Sequence, residues 1–374
     1  MEERKKVVIV QEHIPHYRVK FYNLLREQLD ARGVDLDLYY SPLNSIAAIP
    51  GGVPWAKTVK TRKLWKFVWQ PVFRAVRRAD VVILAQESKY VLNYLLFAYA
   101  AVSKLKLALW GHGRNFQSAD VSSLRERLKC YFSRRVDWWF AYTERSKNVI
   151  EDMGFDGQRI TTVKNSIDTK SIQQFKNQTK EDDLDRVKVE LGIDSENVAI
   201  FVGRFLPMKR TEFLIRACEL VRERVPDFHV ILIGKGPEQN LVKKAELKHA
   251  WIHPVGVKDD REKVPYWMIS KLLLMPGALG LVVLDSFVFG VPMVTTSVGG
   301  HGPEITYLDN GRNGVVTEDD PDDVRAYADK VVDLMSSKSQ LTEMSRQCLQ
   351  DAELYSIEEM VDRFVDGVES VVKI

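Results

Sequence analysis

The chain has 374 residues, 45% of them hydrophobic, which is sufficient for two domains of ordinary size with a core each. Its net charge of +3 conceals a division: residues 1–175 carry 29 Lys and Arg against 17 Asp and Glu, and the remainder carries 25 against 34. A basic half indicates an anionic partner, but no stacking platform for single strands and no groove-reading helix is recognisable, so nucleic acid is not expected.

The cysteines, the N-terminus and the apolar segments predict a cytoplasmic chain without membrane spans. Cys130, Cys218 and Cys348 lack the spacing of a metal site or a disulfide framework, which fits a reducing compartment. The N-terminus enters a strand without the hydrophobic region of a signal peptide. The longest apolar helix candidate, residues 91–102, is shorter than the about 18 residues that span a bilayer.

The first predicted elements are a buried strand over residues 5–11, an amphipathic helix ending at Gly33 and a strand over 34–40. The loop at the carboxyl end of the first strand contains His13, His16, Tyr17 and Arg18. These four residues either face a substrate or only cap and solvate the following helix. Asp35 and Asp37 resemble part of a metal-binding triplet, but they lie within a strand and we interpret them as structural.

Residues 57–78 contain eight basic residues and no acidic one. At about 100° per residue, positions 63–77 separate into a basic stripe and an apolar stripe, which predicts an amphipathic helix that Pro71 kinks or begins. Its apolar face either packs on the sheet or lies at an anionic membrane surface. The candidate membrane-facing residues are Lys63, Trp65, Lys66, Trp69 and Arg74. A second predicted helix adds positive charge through Arg125, Arg127, Lys129, Arg134 and Arg135.

His112 is a further candidate site residue, and it follows a predicted strand over residues 106–110. The glycines on either side allow the backbone to bend sharply, so that His112 can project from the carboxyl end of that strand. Arg114 follows two residues later and is a further candidate. Further strands are predicted over 137–143 and 160–163, followed by a polar linker over 169–190.

Two loops in the acidic half suit a phosphate group. Strand 198–202 is followed by Arg204, a fixed fork of donors, and Lys209, a point charge. Strand 272–275 leads through a Gly-rich turn into a helix stopped by Gly290. The amides of that turn could hold an anion at the helix N-terminus, although an ordinary strand-to-helix turn has the same pattern. The residues of the turn are Gly277, Ala278, Leu279, Gly280 and Leu281.

A larger pattern runs through this half in a fixed order. It comprises Val202-Gly203-Arg204 with Lys209, Leu232-Ile233-Gly234-Lys235-Gly236-Pro237, Pro276-Gly277 to Gly280, Asp285, Gly290-Val291-Pro292-Met293-Val294, Gly299-Gly300 with Pro303-Glu304, and Asn313-Gly314. The pattern resembles the nucleotide-sugar half of the retaining glycosyltransferases of family four. The resemblance implies an α/β fold of the GT-B type, with two facing Rossmann-like domains and a cleft between them.

The resemblance also implies domain limits and residue roles. The N-terminal domain, residues 1–175, would bind the acceptor, residues 176–355 would bind the nucleotide sugar, and the helix in 356–374 would cross back. On the acceptor side we place His13, His16, Tyr17, Arg18 and Arg114. His112 would reach the donor sugar and act in catalysis with Arg204 and Lys209. The donor-binding residues would be Gly203, Arg204, Lys209, Gly234, Gly236, the turn from Gly277 to Leu281, Asp285 and Glu304.

The chain departs from the family at one position. The family usually carries two glutamates spaced as Gly277 and Asp285 are here, the first touching the donor sugar and the second the ribose. Asp285 can still accept from ribose hydroxyls. Gly277 has no side chain, so the sugar must be recognised by backbone amides or by other residues.

The function implied is retaining transfer of a sugar from a nucleoside diphosphate, UDP favoured over GDP, to a membrane-associated acceptor such as a lipid-linked saccharide. No metal or other cofactor is expected, because cationic residues and amides would stabilise the leaving diphosphate. The protein would sit peripherally on the inner face of the cell membrane. Two alternatives stay open: a nucleotide-sugar epimerase or hydrolase on the same fold, and a non-catalytic subunit that binds a nucleotide sugar.

Overall fold

The computed structural model describes residues 4–41, 53–113, 131–298, 300–317 and 322–374, apart from the side chain of Leu64. The chain forms two compact units, an N-terminal unit of Met1–Ile167 with Ile357–Ile374 and a C-terminal unit of Asp168–Ser356. The chain passes between the units eight residues earlier than the predicted limit at residue 175. The predicted positions Arg114, Arg125, Arg127 and Lys129 lie outside the described residues.

The strands, with bounds as observed, are β1 (Lys5–Val10), β2 (Val34–Tyr40), β3 (Lys57–Thr58), β4 (Arg62–Leu64), β5 (Phe67–Trp69), β6 (Val81–Ala85), β7 (Lys106–Gly111), β8 (Trp138–Ala141), β9 (Ile160–Thr162), β10 (Val198–Val202), β11 (His229–Ile233), β12 (Ile252–Gly256), β13 (Leu272–Met275), β14 (Met293–Thr296) and β15 (Gly314–Thr317). The helices are α1 (Val19–Ala31), α2 (Phe73–Val76), α3 (Val91–Ala100), α4 (Glu144–Asp152), α5 (Thr169–Gln178), α6 (Glu181–Leu191), α7 (Thr211–Arg224), α8 (Gln239–Lys248), α9 (Val264–Met268), α10 (Val282–Phe289), α11 (Val324–Ser336), α12 (Lys338–Ala352) and α13 (Ile357–Lys373).

Each unit is built on one parallel sheet. The N-terminal sheet has the order β3-β2-β1-β6-β7-β8-β9, and the C-terminal sheet has the order β12-β11-β10-β13-β14-β15. Apolar runs such as Val7 to Ile9 and Leu272 to Met275 are fully buried, as expected for parallel strands covered on both faces. The α/β fold with two Rossmann-like sheets is therefore confirmed.

Helix α13 completes the core of the N-terminal unit. Phe364 stacks on Phe140 with ring centroids 4.1 Å apart and meets Phe21 edge-on at 5.4 Å. Gly367 allows the close approach, because a Cβ there would lie 2.6 Å from both the Phe140 ring and the Thr161 hydroxyl. The last helix of the chain thus belongs to the N-terminal unit in packing.

The predicted amphipathic helix over residues 63–77 is wrong. Strands β4 and β5 form an antiparallel hairpin there, and only the short helix α2 follows. The amide of Val68 donates to the carbonyl of Lys89 at 2.8 Å, a tertiary bond that a helical residue 68 could not make. Pro71 adds a second reason, since it has no amide to continue a helix. Helical spacing still identified the buried residues Val72 and Val76.

The predicted polar linker over residues 169–190 is also wrong, because it folds as α5 and α6. Asp168 caps α5 by accepting from the amide of Ser171 at 3.1 Å. Ile172 on α5 and Leu184 on α6 are buried. A polar composition therefore concealed two amphipathic helices with few apolar positions.

The aspartates of the suspected metal triplet serve as ion-pair partners. Asp35 accepts from Arg4 at 2.8 Å, and Asp37 contacts Lys57 at 2.8 Å and Lys6 at 3.0 Å. Within the described ranges, no group of three or more potential ligands could hold a metal ion. In the same ranges no helix is both long and apolar enough to cross a membrane.

Two histidines share a buried hydrogen bond in the C-terminal sheet. His229 Nδ1 lies 2.9 Å from His253 Nε2, and the rings stack with an interplanar angle of 12°. Burial, and secondarily the neighbouring His229, lowers the pKa of His253 to about 4. Burial and then Arg222 lower the pKa of His229, against the opposing effect of Asp194. Both rings are therefore neutral at pH 7.

We expect the free energy of unfolding to fall as the pH is lowered from 7.5 to 5. In that interval the unfolded chain protonates a His of pKa 6.5 while native His253, with its pKa of about 4, stays neutral. Protons therefore favour the unfolded state, by about 2 kcal/mol at pH 5. Urea unfolding at both pH values should show this loss reduced in His253→Gln. Equal losses in the variant and the wild type would contradict the assignment.

Candidate functional site

The strand order of the C-terminal sheet reverses between β10 and β13. The two strands pair through Ala199 with Leu272 and Ile200 with Leu273, so the loops at their carboxyl ends emerge side by side. These loops are residues 203–210 and 276–281, which we call the basic turn and the Gly-rich turn. In open parallel sheets, ligands bind in the crevice at this kind of switch point.

The loops that follow β10 and β11 run in contact. The amide of Phe205 donates to the carbonyl of Lys235 at 3.2 Å. A Cβ on Gly234 would lie 1.9 Å from the carbonyl oxygen of Gly203, and one on Gly236 would lie 2.3 Å from that of Phe205. The predicted donor-binding residues Gly203, Gly234 and Gly236 thus share one edge, and Gly234 and Gly236 are required there for backbone packing.

The basic turn also packs against the Gly-rich turn. The amide of Ala278 donates to the carbonyl of Met208 at 2.8 Å, and Lys209 Nζ donates to the carbonyl of Ala278. A Cβ on Gly277 would lie 2.4 Å from the Met208 oxygen and 2.6 Å from the Lys209 Cα. No side chain fits at residue 277, which explains physically why the glutamate expected from the family pattern is missing.

The amides of the Gly-rich turn divide into two groups. Those of Ala278 and Leu279 have partners, the Met208 carbonyl and His301 Nδ1. Those of Gly280, Leu281 and Val282 donate to no partner among the described residues, and α10 starts at Val282. A Cβ on Gly280 would meet nothing within 4 Å. The candidate anion-binding amides are therefore those of residues 280–282 rather than the whole predicted run from Gly277.

His301 holds the Gly-rich turn in place. Its Nδ1 accepts from the amide of Leu279 at 3.2 Å, and its Nε2 lies 2.8 Å from the carbonyl of Thr296 at the end of β14. These partners assign the neutral tautomer with the proton on Nε2. The amide of Gly302 donates to the carbonyl of Leu279 at 2.9 Å and closes the same contact. Sequence reasoning missed this role, because His301 is an unmarked residue within a Gly-rich segment.

The cations of the basic turn differ in exposure. Burial lowers the pKa of Lys209 to about 8, and its Nζ lies beneath the Gly-rich turn, 4.0 Å from the Met275 sulfur. Arg204 is exposed at the end of β10. Arg210 donates to the Thr296 hydroxyl at 3.3 Å and pairs with Asp322 at 2.6 Å. Lys209 and Arg204 therefore supply positive charge at the switch point.

Asp285 lies within a buried ion pair. Its carboxylate is 2.7 Å from Lys263 Nζ, which is also 2.8 Å from Asp260. Burial alone would lower the pKa of Lys263, but the two carboxylates outweigh it and raise the pKa above its usual value. The sequence did not indicate that Lys263 would pair with Asp285, because Lys263 is the N-cap residue of α9 and lies far from Asp285 in the chain. The ribose contact of Asp285 stays a prediction.

Glu304 lies beside the Gly-rich turn and is 4% exposed. A Cβ on Gly302 would be 2.5 Å from Glu304 Oε2 and 3.7 Å from the Gly280 Cα. The carboxyl group and Gly280 thus both border the same point beside Gly302, and the donor-side role of Glu304 stays a prediction.

The N-terminal unit presents its predicted residues at the carboxyl ends of its own strands. His13 and His16 are exposed, and Tyr17 is half-buried against His16. Arg18 differs: it is 4% exposed, and its guanidinium donates to the carbonyl of Ser166 at 3.2 Å. We correct its role from acceptor contact to internal bracing. His112 packs on Tyr142 with ring centroids 4.3 Å apart.

Comparison with known proteins gives a family match that lies within the C-terminal unit. Residues 196–337 match the family described as Glycosyl transferases group 1. The D-inositol 3-phosphate glycosyltransferase of Corynebacterium urealyticum is 28% identical over 47% of this chain and 44% of its own length. The GDP-mannose-dependent alpha-(1-6)-phosphatidylinositol monomannoside mannosyltransferase of Mycolicibacterium smegmatis is 32% identical over 40% of this chain and 42% of its own. The chain spans about half the length of the first curated relatives it matches.

Among solved structures, Anabaena Alr3699/HepE in complex with UDP superposes with a TM-score of 0.74 at 14% identity, covering 98% of this chain and 100% of that one. At 14% identity, this structural similarity shows the fold alone. The fold of two parallel-sheet units is that of the GT-B glycosyltransferases.

The lowered pKa of Lys209 predicts a pH-dependent affinity for UDP. Between pH 7 and 9 the ammonium group, with its pKa of about 8, loses its proton, so the dissociation constant should rise by up to tenfold per unit above pH 8. Lys209→Arg keeps its charge over this range and should flatten the profile, whereas Lys209→Ala should bind weakly throughout. Calorimetric titrations test this. The same slope in the wild type and the arginine variant would rule out Lys209 as the titrating contact.

The packing of the two turns predicts different changes in the free energy of unfolding for two Gly→Ala substitutions. Gly277→Ala places a methyl group against the rigid backbone of residues 208–209 and should cost about 1–3 kcal/mol of unfolding free energy. Gly280→Ala enters open space and should change stability by less than about 0.5 kcal/mol. Urea unfolding of the pair measures both. A Gly277→Ala protein as stable as the Gly280→Ala protein would refute the tight contact.

Proposed function

We propose that the protein is a retaining glycosyltransferase that moves a sugar from a nucleoside diphosphate, UDP in preference to GDP, to a membrane-associated acceptor such as a lipid-linked saccharide. One observation carries the proposal. Open amides at residues 280–282 and the side chain of Lys209 converge at the switch point of the C-terminal sheet. Amides at a helix N-terminus and a half-buried cation are groups that bind a diphosphate.

The proposed chemistry breaks the bond between the sugar C1 and the β-phosphate oxygen and forms a C1–O bond to the acceptor hydroxyl on the same face. The hydroxyl proton passes to the departing phosphate oxygen, so no protein carboxylate acts as nucleophile. Charge develops on the β-phosphate as the bond breaks. Lys209, Arg204 and the amides at residues 280–282 would stabilise that charge, and such preorganised donors contribute strongly to catalysis.

Donor recognition must work without a carboxylate at residue 277. Gly277 itself is enclosed by the backbone of Met208 and Lys209, so we assign the sugar contacts to Glu304, which lies near Gly280, and to the open amides at residues 280–282. Asp285 would reach the ribose only from within its ion pair with Lys263. A donor set of this kind leaves metal chemistry unnecessary in the proposed reaction.

Acceptor binding is assigned to the N-terminal unit. Its carboxyl edge presents His13 and His16 to solvent, with Tyr17 beside them. The excess of basic residues in 1–175 suits an acceptor that carries phosphate or lies at an anionic surface. The similarity to a mannosyltransferase named for a phosphatidylinositol mannoside supports a lipid-borne acceptor.

Nucleotide sugars should raise the unfolding temperature, and the best donor should then be consumed only with an acceptor present. A ligand at one hundred times its dissociation constant stabilises by about 2.7 kcal/mol. Arg204→Ala and Lys209→Ala should each weaken binding and abolish transfer. Product NMR reports the anomeric configuration.

The possible outcomes of that experiment separate the alternatives. An inverted anomeric product would reject the retaining mechanism. Conversion of the donor alone would indicate an epimerase or hydrolase. Binding without turnover under every acceptor would indicate a non-catalytic subunit.

A further inference from the structure

The hairpin of β4 and β5 ends in an exposed aromatic and basic tip. Trp65 is 99% exposed and Phe67 is 51% exposed. Arg62, Lys63 and Lys66 are also exposed. We call these five residues the hairpin tip. An indole fully in water is costly, because Trp is the largest apolar side chain and most of its surface is normally covered.

The backbone at the tip is held in an unusual conformation. Trp65 has a φ of 55°, in the left-handed region that a bulky side chain rarely adopts. A glycine would occupy this position of a two-residue hairpin turn without strain. The structure shows no way in which a tryptophan at this position stabilises the fold. We therefore attribute Trp65 to a role outside the fold.

The base of the hairpin is firmly attached to the N-terminal unit. Val68 is 4% exposed and donates to the carbonyl of Lys89, and Gln70 is 3% exposed and donates to the carbonyl of Gln11 at 3.2 Å. Gln11 directly follows β1, and Lys89 lies between β6 and α3. The hairpin thus projects from the same carboxyl edge that presents His13 and His16.

The segment that forms the tip is rich in positive charge. Residues 57–78 contain no Asp or Glu, and no ion pair within the described part of the chain involves Arg62, Lys63 or Lys66. On the following segment Arg74, Arg77 and Arg78 are exposed as well. The predicted membrane-facing residues Lys63, Trp65, Lys66 and Arg74 are therefore exposed, while Trp69 is half-buried at the base of the hairpin.

A bilayer fits this surface better than a nucleic acid does. Single strands are bound along a groove lined by several stacking residues, whereas the tip is a protrusion with one fully exposed ring. Trp favours the interface between lipid head groups and acyl chains, and each nearby Lys or Arg adds about 1 kcal/mol of attraction to anionic lipid.

We propose that the hairpin tip inserts Trp65, with Phe67 beside it, into the interface of an anionic bilayer while Arg62, Lys63 and Lys66 contact the lipid head groups. This inference extends the proposed function, since it supplies the membrane contact that a lipid-borne acceptor requires. It depends on the hairpin geometry and is testable without any sugar transfer.

The test is co-sedimentation of the full chain with vesicles of phosphatidylcholine alone or with 30% phosphatidylglycerol. Trp65→Gly removes the indole and suits the positive φ, so the hairpin is retained; it should weaken binding about tenfold or more. Lys63→Gln with Lys66→Gln should weaken it about 25-fold, at about fivefold per charge. The wild-type affinity should fall at high salt.

A matched control comes from α8 in the C-terminal unit. Leu247 is 89% exposed there and Lys243 and Lys244 are exposed, so Leu247→Ser with Lys243→Gln and Lys244→Gln removes comparable apolar and basic groups. This control should bind vesicles like the wild type. Quenching of tryptophan fluorescence by brominated lipid should be seen in the wild type and be reduced in Trp65→Gly.

Three results would overturn the inference. The first is a wild type that does not sediment with anionic vesicles, and the second is a Trp65→Gly variant that binds them as tightly as the wild type does. The third is an α8 control variant that loses as much vesicle binding as the tip variants. A tip that instead mediated self-association or nucleic-acid binding would show Trp65-dependent change in sedimentation velocity or in oligonucleotide binding without vesicles. Calorimetric affinity for UDP should be unchanged in the tip variants, so failure of the hairpin inference and failure of the proposed function are distinguishable.

Discussion

The contact between the basic turn and the Gly-rich turn determines the candidate site. Because Gly277 has no side chain, the backbone of Met208 and Lys209 lies directly against it. The amide of Ala278 donates to the carbonyl of Met208, and the carbonyl of Ala278 accepts from Lys209 Nζ. That contact places Lys209 beneath the turn, and the amides of residues 280–282 that follow donate to no partner among the described residues. His301 fixes the other side of the turn to the end of β14. The site is thus a rigid backbone surface with one half-buried cation rather than a cluster of acidic side chains.

Much of the fold could be predicted because local pattern and tertiary structure agree in it. Buried parallel strands such as β10 and β13 are continuous apolar runs, and α10 ends at Gly290 with a φ of 67° as its sequence indicates. The prediction failed where tertiary contacts outweighed periodicity. In the hairpin, the amide of Val68 donates a hydrogen bond to the carbonyl of Lys89. These two residues are far apart in the chain, so helical spacing could not predict this contact. In α5 and α6, a few buried residues among many polar ones were sufficient for packing.

The candidate site could be predicted in position but not in detail. Strand ends, glycines and basic residues located both turns, since these features are local. The partners His301 and Lys263 lie on other elements, and nothing in their own neighbourhood marks them. The split of the turn into bonded and open amides also depends on Met208 and His301, so the full run of amides from residue 277 was an overestimate. Arg18 had the type and position of a ligand-binding residue, yet its burial against Ser166 depends on the fold of the whole unit.

The loss of a carboxylate at residue 277 has an electrostatic consequence. Of the acids nearest the open amides, Asp285 is balanced by Lys263, which leaves Glu304 as the carboxyl group beside the turn. A second acid at 277 would place negative charge close to Lys209 and weaken its attraction for a diphosphate. Without it, the low pKa of Lys209 arises from burial alone, and no carboxylate of the described residues forms an ion pair with that cation. The same glycine that makes the tight turn possible therefore leaves its lysine unpaired by a neighbouring acid there, as the proposed diphosphate site requires.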